Sequence, residues 1–305
     1  MERVAKAFPH KPYWFMMMAQ YLSHAQNIMS IYAEPSILSS LKYLHRKQLL
    51  NNTILIMLSD HGTWWRDDIE ASEAAFLEQR LPILYISLPQ KFKRKYPLAT
   101  RNLQQNAKKL TTTFDVYEMM YDLLNLTQVS DKRILERAQE SSITARRNVS
   151  LFLPIDPGRT CAEAGITLIN CACISRESAS VSEPSVIRAA NFVLETINEK
   201  IREYPQCRQL KLENVTEVFL TGLRRGSARG NGTFGLNIDA ISESHGEYFE
   251  IGISTKPGGG KYYAAVVFNG FDGHLTLDGI ARVSIYGNDA DCMSDQDLKP
   301  FCYCK

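Results

Sequence analysis

The run Asn52-Thr-Ile-Leu-Ile-Met-Leu-Ser-Asp-His-Gly62 sets the strongest limit on what this chain can fold into. From Thr53 to Leu58 it carries no charge and is rich in Ile and Leu. A short apolar run that ends on turn residues predicts a strand covered on both faces, the kind found inside a parallel α/β sheet. The run stops at Ser59-Asp60-His61-Gly62. Ligands in open α/β sheets settle just beyond the carboxyl ends of strands. An acid, an imidazole and a glycine are therefore expected together where chemistry is usually done. Asp60 offers a hard oxygen and His61 a borderline nitrogen, a pair suited to a divalent cation such as zinc. Gly62 permits a sharp backbone turn behind them. An acid beside a turn also serves as an ordinary helix cap, so these residues by themselves leave both roles open.

Resemblance sharpens the choice. Ile54 to Gly62 resembles the second metal-binding motif of the alkaline-phosphatase/sulfatase superfamily. Three further stretches are Leu22-Ser-His24, Arg80-Leu-Pro-Ile-Leu-Tyr-Ile-Ser-Leu-Pro89 and Leu110-Thr-Thr-Thr-Phe-Asp115. With the ending Leu298-Lys-Pro-Phe-Cys-Tyr-Cys304, they are similar to a family of secreted animal proteins in that superfamily, domain of unknown function 229. The similarity is closest over roughly residues 8 to 130. It implies an α/β domain in which Asp60, His61 and His24 are metal ligands. It also implies hydrolysis or transfer of phosphate or sulfate esters, with a hydroxyl nucleophile whose pKa one or two metals lower. The segment carrying that nucleophile is not recognisable here, so the resemblance further implies a C-terminal portion of a longer protein. One departure stands out. Relatives with two metals place an acid four residues before the histidine, where this chain has Gln20.

The chain has 305 residues, enough for about two domains. We expect a partial alkaline-phosphatase-like domain with a mixed or parallel sheet over residues 1–145. A mainly antiparallel, disulfide-stapled α+β domain should follow over residues 146–305. The net charge of +2 implies neither nucleic acid nor an anionic membrane. No stretch reaches the roughly 20 apolar residues of a membrane span, and Tyr13 to Met18 is far too short. The substrate or protein partner is not legible.

Cysteine usage points out of the cytosol. Cys161, Cys171, Cys173, Cys207, Cys292, Cys302 and Cys304 all follow residue 160. That pattern predicts a disulfide framework formed extracellularly or in the secretory lumen, with one thiol left over. A zinc site from Cys171-Ala-Cys173 and Cys302-Tyr-Cys304 fits less well, because the spacing is not C-x-x-C. Sequons at Asn51, Asn125, Asn148, Asn214 and Asn231 suit the same location. No apolar signal core follows Met-Glu-Arg-Val-Ala-Lys at the start, again in keeping with a portion of a longer chain.

Periodicity supplies the elements. Tyr13 to Tyr21 is expected to be a central strand leading to His24, and Ser36 to Leu50 a helix capped by Ser36. After Gly62 come Trp64, Trp65 and Arg66; Arg66 is a candidate for bidentate contact with phosphate or sulfate. A helix over 69–79, a strand over 81–88 and a helix over 111–126 follow, with Thr112, Thr113 and Asp115 at the start of the last. Pro184 to Tyr204 carries the apolar stripe Val186, Ala189, Ala190, Val193, Leu194, Ile197 and Ile201. From residue 210 the period changes to two, which predicts about five strands: 215–223, 233–242, 247–255, 261–268 and 275–286.

Overall fold

Alternation of apolar residues in the last hundred positions builds the largest element of the computed structural model. Among the described residues it is a five-stranded antiparallel sheet in the order β3–β4–β5–β6–β7. The strands are β3 (Glu177–Ser178), β4 (Lys211–Leu220), β5 (Glu247–Lys256), β6 (Gly260–Phe268) and β7 (Leu275–Arg282). The structure describes residues 2–8, 11–19, 30–62, 73–140, 147–174, 176–220, 247–269, 273–285 and 287–305. The hairpin between β5 and β6 turns through Gly258 and Gly259, both at positive φ (89° and 62°). A side chain is strained there, and at Gly258 it would also strike the Tyr303 ring.

Both faces of the central strands are covered. Phe249, Ile251 and Ile253 of β5 meet the helix Pro184–Lys200. The stripe expected on that helix is buried: Val186, Ala189, Ala190, Val193 and Ile197, with Ile201 just beyond. Tyr248 of β5 with Tyr263 and Ala265 of β6 point the other way. There they meet Phe76 of the helix Glu73–Arg80 and Ile169 and Cys171 of the loop 161–171. Among the described residues no helix is long and apolar enough to cross a membrane.

The N-terminal half has its own core. Strands β1 (Leu55–Leu58) and β2 (Leu84–Ser87) pair antiparallel, with Ile56 opposite Ile86. Among the described residues seven α-helices accompany them before residue 140: α1 (Glu2–Ala7), α2 (Ser30–Arg46), α3 (Glu73–Arg80), α4 (Gln90–Lys95), α5 (Pro97–Asn106), α6 (Thr113–Leu124) and α7 (Asp131–Ala138). The helix Pro184–Lys200 is α8. Phe92, Ala99, Val116, Met119 and Ile134 pack around Leu151 and Phe152. Buried asparagines fix that last segment: Asn102 donates to the Phe152 carbonyl (2.8 Å), and Asn106 to those of Leu151 (3.0 Å) and Leu153 (2.7 Å). Asp115 does the same for α6. It accepts from the Thr112 N–H in a capping box, from the Val149 N–H, and from both terminal nitrogens of Arg159.

Several expectations change here. The pairing seen for β1 is antiparallel, not that of a parallel sheet; among the described residues β2 is its one partner. Residues 13–19 are exposed and form no strand, since a strand forms only with a partner ladder. Helix α2 starts at Ser30 and runs through Pro35, and Ser36 is not its cap. Strand β2 begins three residues late because Pro82 cannot donate to a ladder. The fifth strand of the large sheet is the two-residue β3; residues 233–242 lie outside those described. The segment Val149–Ile155 packs in the same core as α4 to α7.

Two buried phenols make stability pH-dependent. Burial, then the nearby Glu250, Asp278 and Tyr263, raise the Tyr248 phenol well above the ordinary 10.0. Burial also raises Tyr262, only partly offset by Arg282. The folded chain thus holds these protons more tightly than the unfolded one. Their contribution is complete below about pH 10 and is lost as pH rises further. Urea midpoints should fall above pH 10, and less steeply in Tyr248→Phe. That variant should lose little stability at pH 7, because the Tyr248 hydroxyl has no hydrogen-bond partner among the described residues.

Candidate functional site

Strand β1 delivers Asp60 and His61 to its carboxyl end, as the sequence predicts. Ser59 closes the strand against the run-in to β2: its N–H donates to the Ile83 carbonyl (3.1 Å), and its hydroxyl accepts from the Ile83 N–H (3.0 Å). Beyond that clasp, the Asp60 carboxylate accepts from the His61 N–H at 3.0 Å. The His61 ring places Nδ1 against the Gly62 carbonyl and Nε2 3.5 Å from Asp60 Oδ2. A carbonyl only accepts, so in the neutral ring Nδ1 carries the proton and Nε2 keeps its lone pair. A nitrogen lone pair and a carboxylate this close are a donor pair suited to a divalent cation. Metal-bound histidines commonly donate their other ring N–H to a backbone carbonyl in this way. The pair is open to solvent, with side-chain exposures of 75% for Asp60 and 55% for His61.

Gly62 has a different task from the one its sequence position suggests. Its N–H donates to the Gln79 carbonyl at 3.3 Å. A Cβ added at this residue would lie 1.8 Å from the Glu78 carbonyl oxygen. The loop therefore needs glycine because it lies directly on the C-terminal turn of α3.

Helix α3 is in turn anchored to the large sheet. Arg80 at its end is buried; its Nη2 lies 3.2 Å from Glu250 Oε1 on β5, and both side chains are fully buried. Arg176 approaches the other carboxylate oxygen at 3.7 Å, and the Tyr263 hydroxyl donates to it. Both guanidinium groups lie 3.9 Å from the centroid of the Phe76 ring, a favourable cation–π distance. The connection thus runs from the Asp60–Gly62 loop through α3 to Glu250. Sequence reasoning missed Arg80, Arg176, Glu250 and Tyr263. A signal existed: Glu250 is a lone acid inside the apolar run Tyr248-Phe-Glu-Ile-Gly-Ile253 of an expected central strand.

Of the other expected site residues, His24, Arg66 and Asn231 lie outside the described residues. Among those described, no third His, Cys, Asp or Glu joins Asp60 and His61 within 4.8 Å. The clusters that do form are of cysteine, and they are occupied by disulfides: Cys161–Cys171, Cys207–Cys302 and Cys292–Cys304. Cys173 is the thiol left over, and burial raises its pKa. A shared zinc site of Cys171, Cys173, Cys302 and Cys304 is not formed, because three of these four are committed to disulfides. Asn51, Asn125, Asn148 and Asn214 are all exposed.

These features define a mixed α/β protein with antiparallel sheets, three disulfides, and an exposed acid–imidazole pair held at a strand end. The family model described as protein of unknown function (DUF229) matches residues 1–216, and the chain belongs to that family. No curated protein and no solved structure matches it.

Gly62→Ala tests the loop's seating. Forcing a methyl group onto the Glu78 carbonyl should cost about 1–3 kcal/mol in urea unfolding, as overpacking does. Ala substituted at the exposed Asp60 should cost far less.

Proposed function

We propose that this chain is part of an extracytoplasmic member of the alkaline-phosphatase/sulfatase superfamily, and that Asp60 and His61 are divalent-metal ligands in a site for phosphate or sulfate esters. The geometry of the pair carries this reading: a carboxylate and an imidazole nitrogen 3.5 Å apart, with Nδ1 turned to a carbonyl. The resemblance of Ile54 to Gly62 to the superfamily's motif supports it, as do the three disulfides, which suit the secretory lumen or the exterior. Zinc is held by three or four protein ligands. The described residues supply two. They do not build a closed site by themselves. His24 and acids from elsewhere in a longer family member are the candidates for the remainder.

The openness of the pair favours a second reading, a secreted non-catalytic binding protein with a degenerate phosphatase-like half. Leu81, Ile83 and Tyr85 beside the pair's strand are also exposed, which suits a surface that meets another molecule.

Equilibrium dialysis of the purified chain against zinc separates the two, with Asp60→Ala/His61→Ala as the control. The first reading predicts about one equivalent more bound zinc than in the double variant, at modest affinity for a two-ligand site. Equal binding by both proteins would favour the second reading.

A further inference from the structure

Helix α6 presents two unlike faces. Asp115, Val116, Met119 and Asp122 are buried. Phe114, Tyr117, Tyr121 and Leu124 recur at helical spacing on the opposite side and are exposed. Tyr121 is 63% and Leu124 75% exposed, and both border a groove of about 440 Å³. Its remaining walls are polar, with Glu118, Gln128 and Arg137 among them. Asn125 stands at its rim as the cap residue of α6 and opens the sequon Asn125-Leu-Thr127.

The carboxamide of Asn125 is held in one orientation. Its oxygen accepts from the Thr127 N–H at 3.2 Å and from the Thr127 hydroxyl at 2.8 Å. Its nitrogen, the atom to which a sugar is joined, makes no hydrogen bond among the described residues, and the side chain is exposed. The neighbouring sequon differs: the Asn148 nitrogen donates to Glu118.

We propose that Asn125 carries an N-linked glycan whose first sugar packs on Tyr121 and Leu124 and fills this groove. A pyranose ring has a face of C–H groups and a rim of hydroxyls. The face matches Tyr121 and Leu124, and the rim matches Glu118, Gln128 and Arg137. Asn125 lines the same groove as Tyr121 and Leu124, so a sugar joined to its nitrogen starts beside both. The glycan replaces solvent over an apolar stripe that would otherwise favour association. In the joining step a bond forms between Asn125 Nδ2 and C1 of the sugar. The C1–O bond to a lipid diphosphate donor breaks, the lipid diphosphate leaves, and Nδ2 loses a proton. The proposal rests on the secretory reading above.

The test uses the full chain behind a heterologous signal peptide, made in animal cells that keep high-mannose glycans. Entry into the secretory pathway is then assured, and the site is tested apart from the natural location. Release of glycans by peptide N-glycosidase in ¹⁸O-water, followed by peptide mass spectrometry, should mark Asn125 in most molecules. Trimming to a single sugar should leave binding of a hydrophobic dye low, and complete removal should raise it several-fold. Asn125 unmarked in molecules that carry sugar at Asn51 or Asn214 would overturn the proposal. Equal dye binding before and after complete removal would overturn the covering role. A natural chain found reduced and sugar-free in its own cells, with Asn125 modified in the directed form, would count against the secretory reading alone.

Discussion

The contact on which the rest depends is the buried pair of Arg80 with Glu250, 170 positions apart in the chain. Burying a charge is tolerated only when it is paired and hydrogen-bonded. Here one carboxylate is shared by two guanidiniums and a phenol, and Phe76 lies against both guanidiniums. Removing one partner of such a pair costs about 3–5 kcal/mol, whereas replacing the whole set with apolar groups can be nearly neutral. The pair therefore acts less as a source of stability than as a lock on position. Helix α3 can dock on the sheet in one place only. The loop bearing Asp60 and His61 lies on the last turn of that helix, so its place is fixed as well.

The same device recurs in the N-terminal half, where a buried polar side chain holds a backbone segment distant in sequence. Asp115 binds Arg159 and the Val149 N–H; Asn106 holds Leu151, Leu153 and Ile155. These contacts explain why residues 149–155 join the N-terminal core. In the C-terminal half covalent links take over. Cys207–Cys302 spans 95 positions and ties the chain's end to the foot of β4, and Cys292–Cys304 closes the last turn beside it. Long closed loops are where a disulfide restricts the unfolded chain most in the entropic model.

Much of this was legible in the sequence where one period dominates. The stripe of α8 and three of the sheet's long strands follow from spacing alone, and of the two cap candidates for α6, Thr112 and Thr113, the first is the cap. The Asp60–His61 pair stands at the end of a strand as expected, and the odd cysteine proves to be Cys173. What was missed has a common cause. Helices α5 and α7 bury few side chains each, so no apolar stripe marks them. The antiparallel partner of β1, the role of Gly62 and the Glu250 cluster all depend on contacts between residues far apart in the chain. Local pattern carries no record of such contacts.

If Arg80 and Glu250 hold the loop in place, disturbing the pair must loosen a site far from it. The direct measurement is amide hydrogen exchange at Gly62, whose N–H donates to Gln79, in the natural chain and in Glu250→Gln. The account predicts that protection at Gly62 and along α3 falls together in the variant, while β5 and β6 away from residue 250 remain protected. Unchanged protection at Gly62 beside a displaced or frayed α3 would contradict it, because the loop would then be held by something other than the helix.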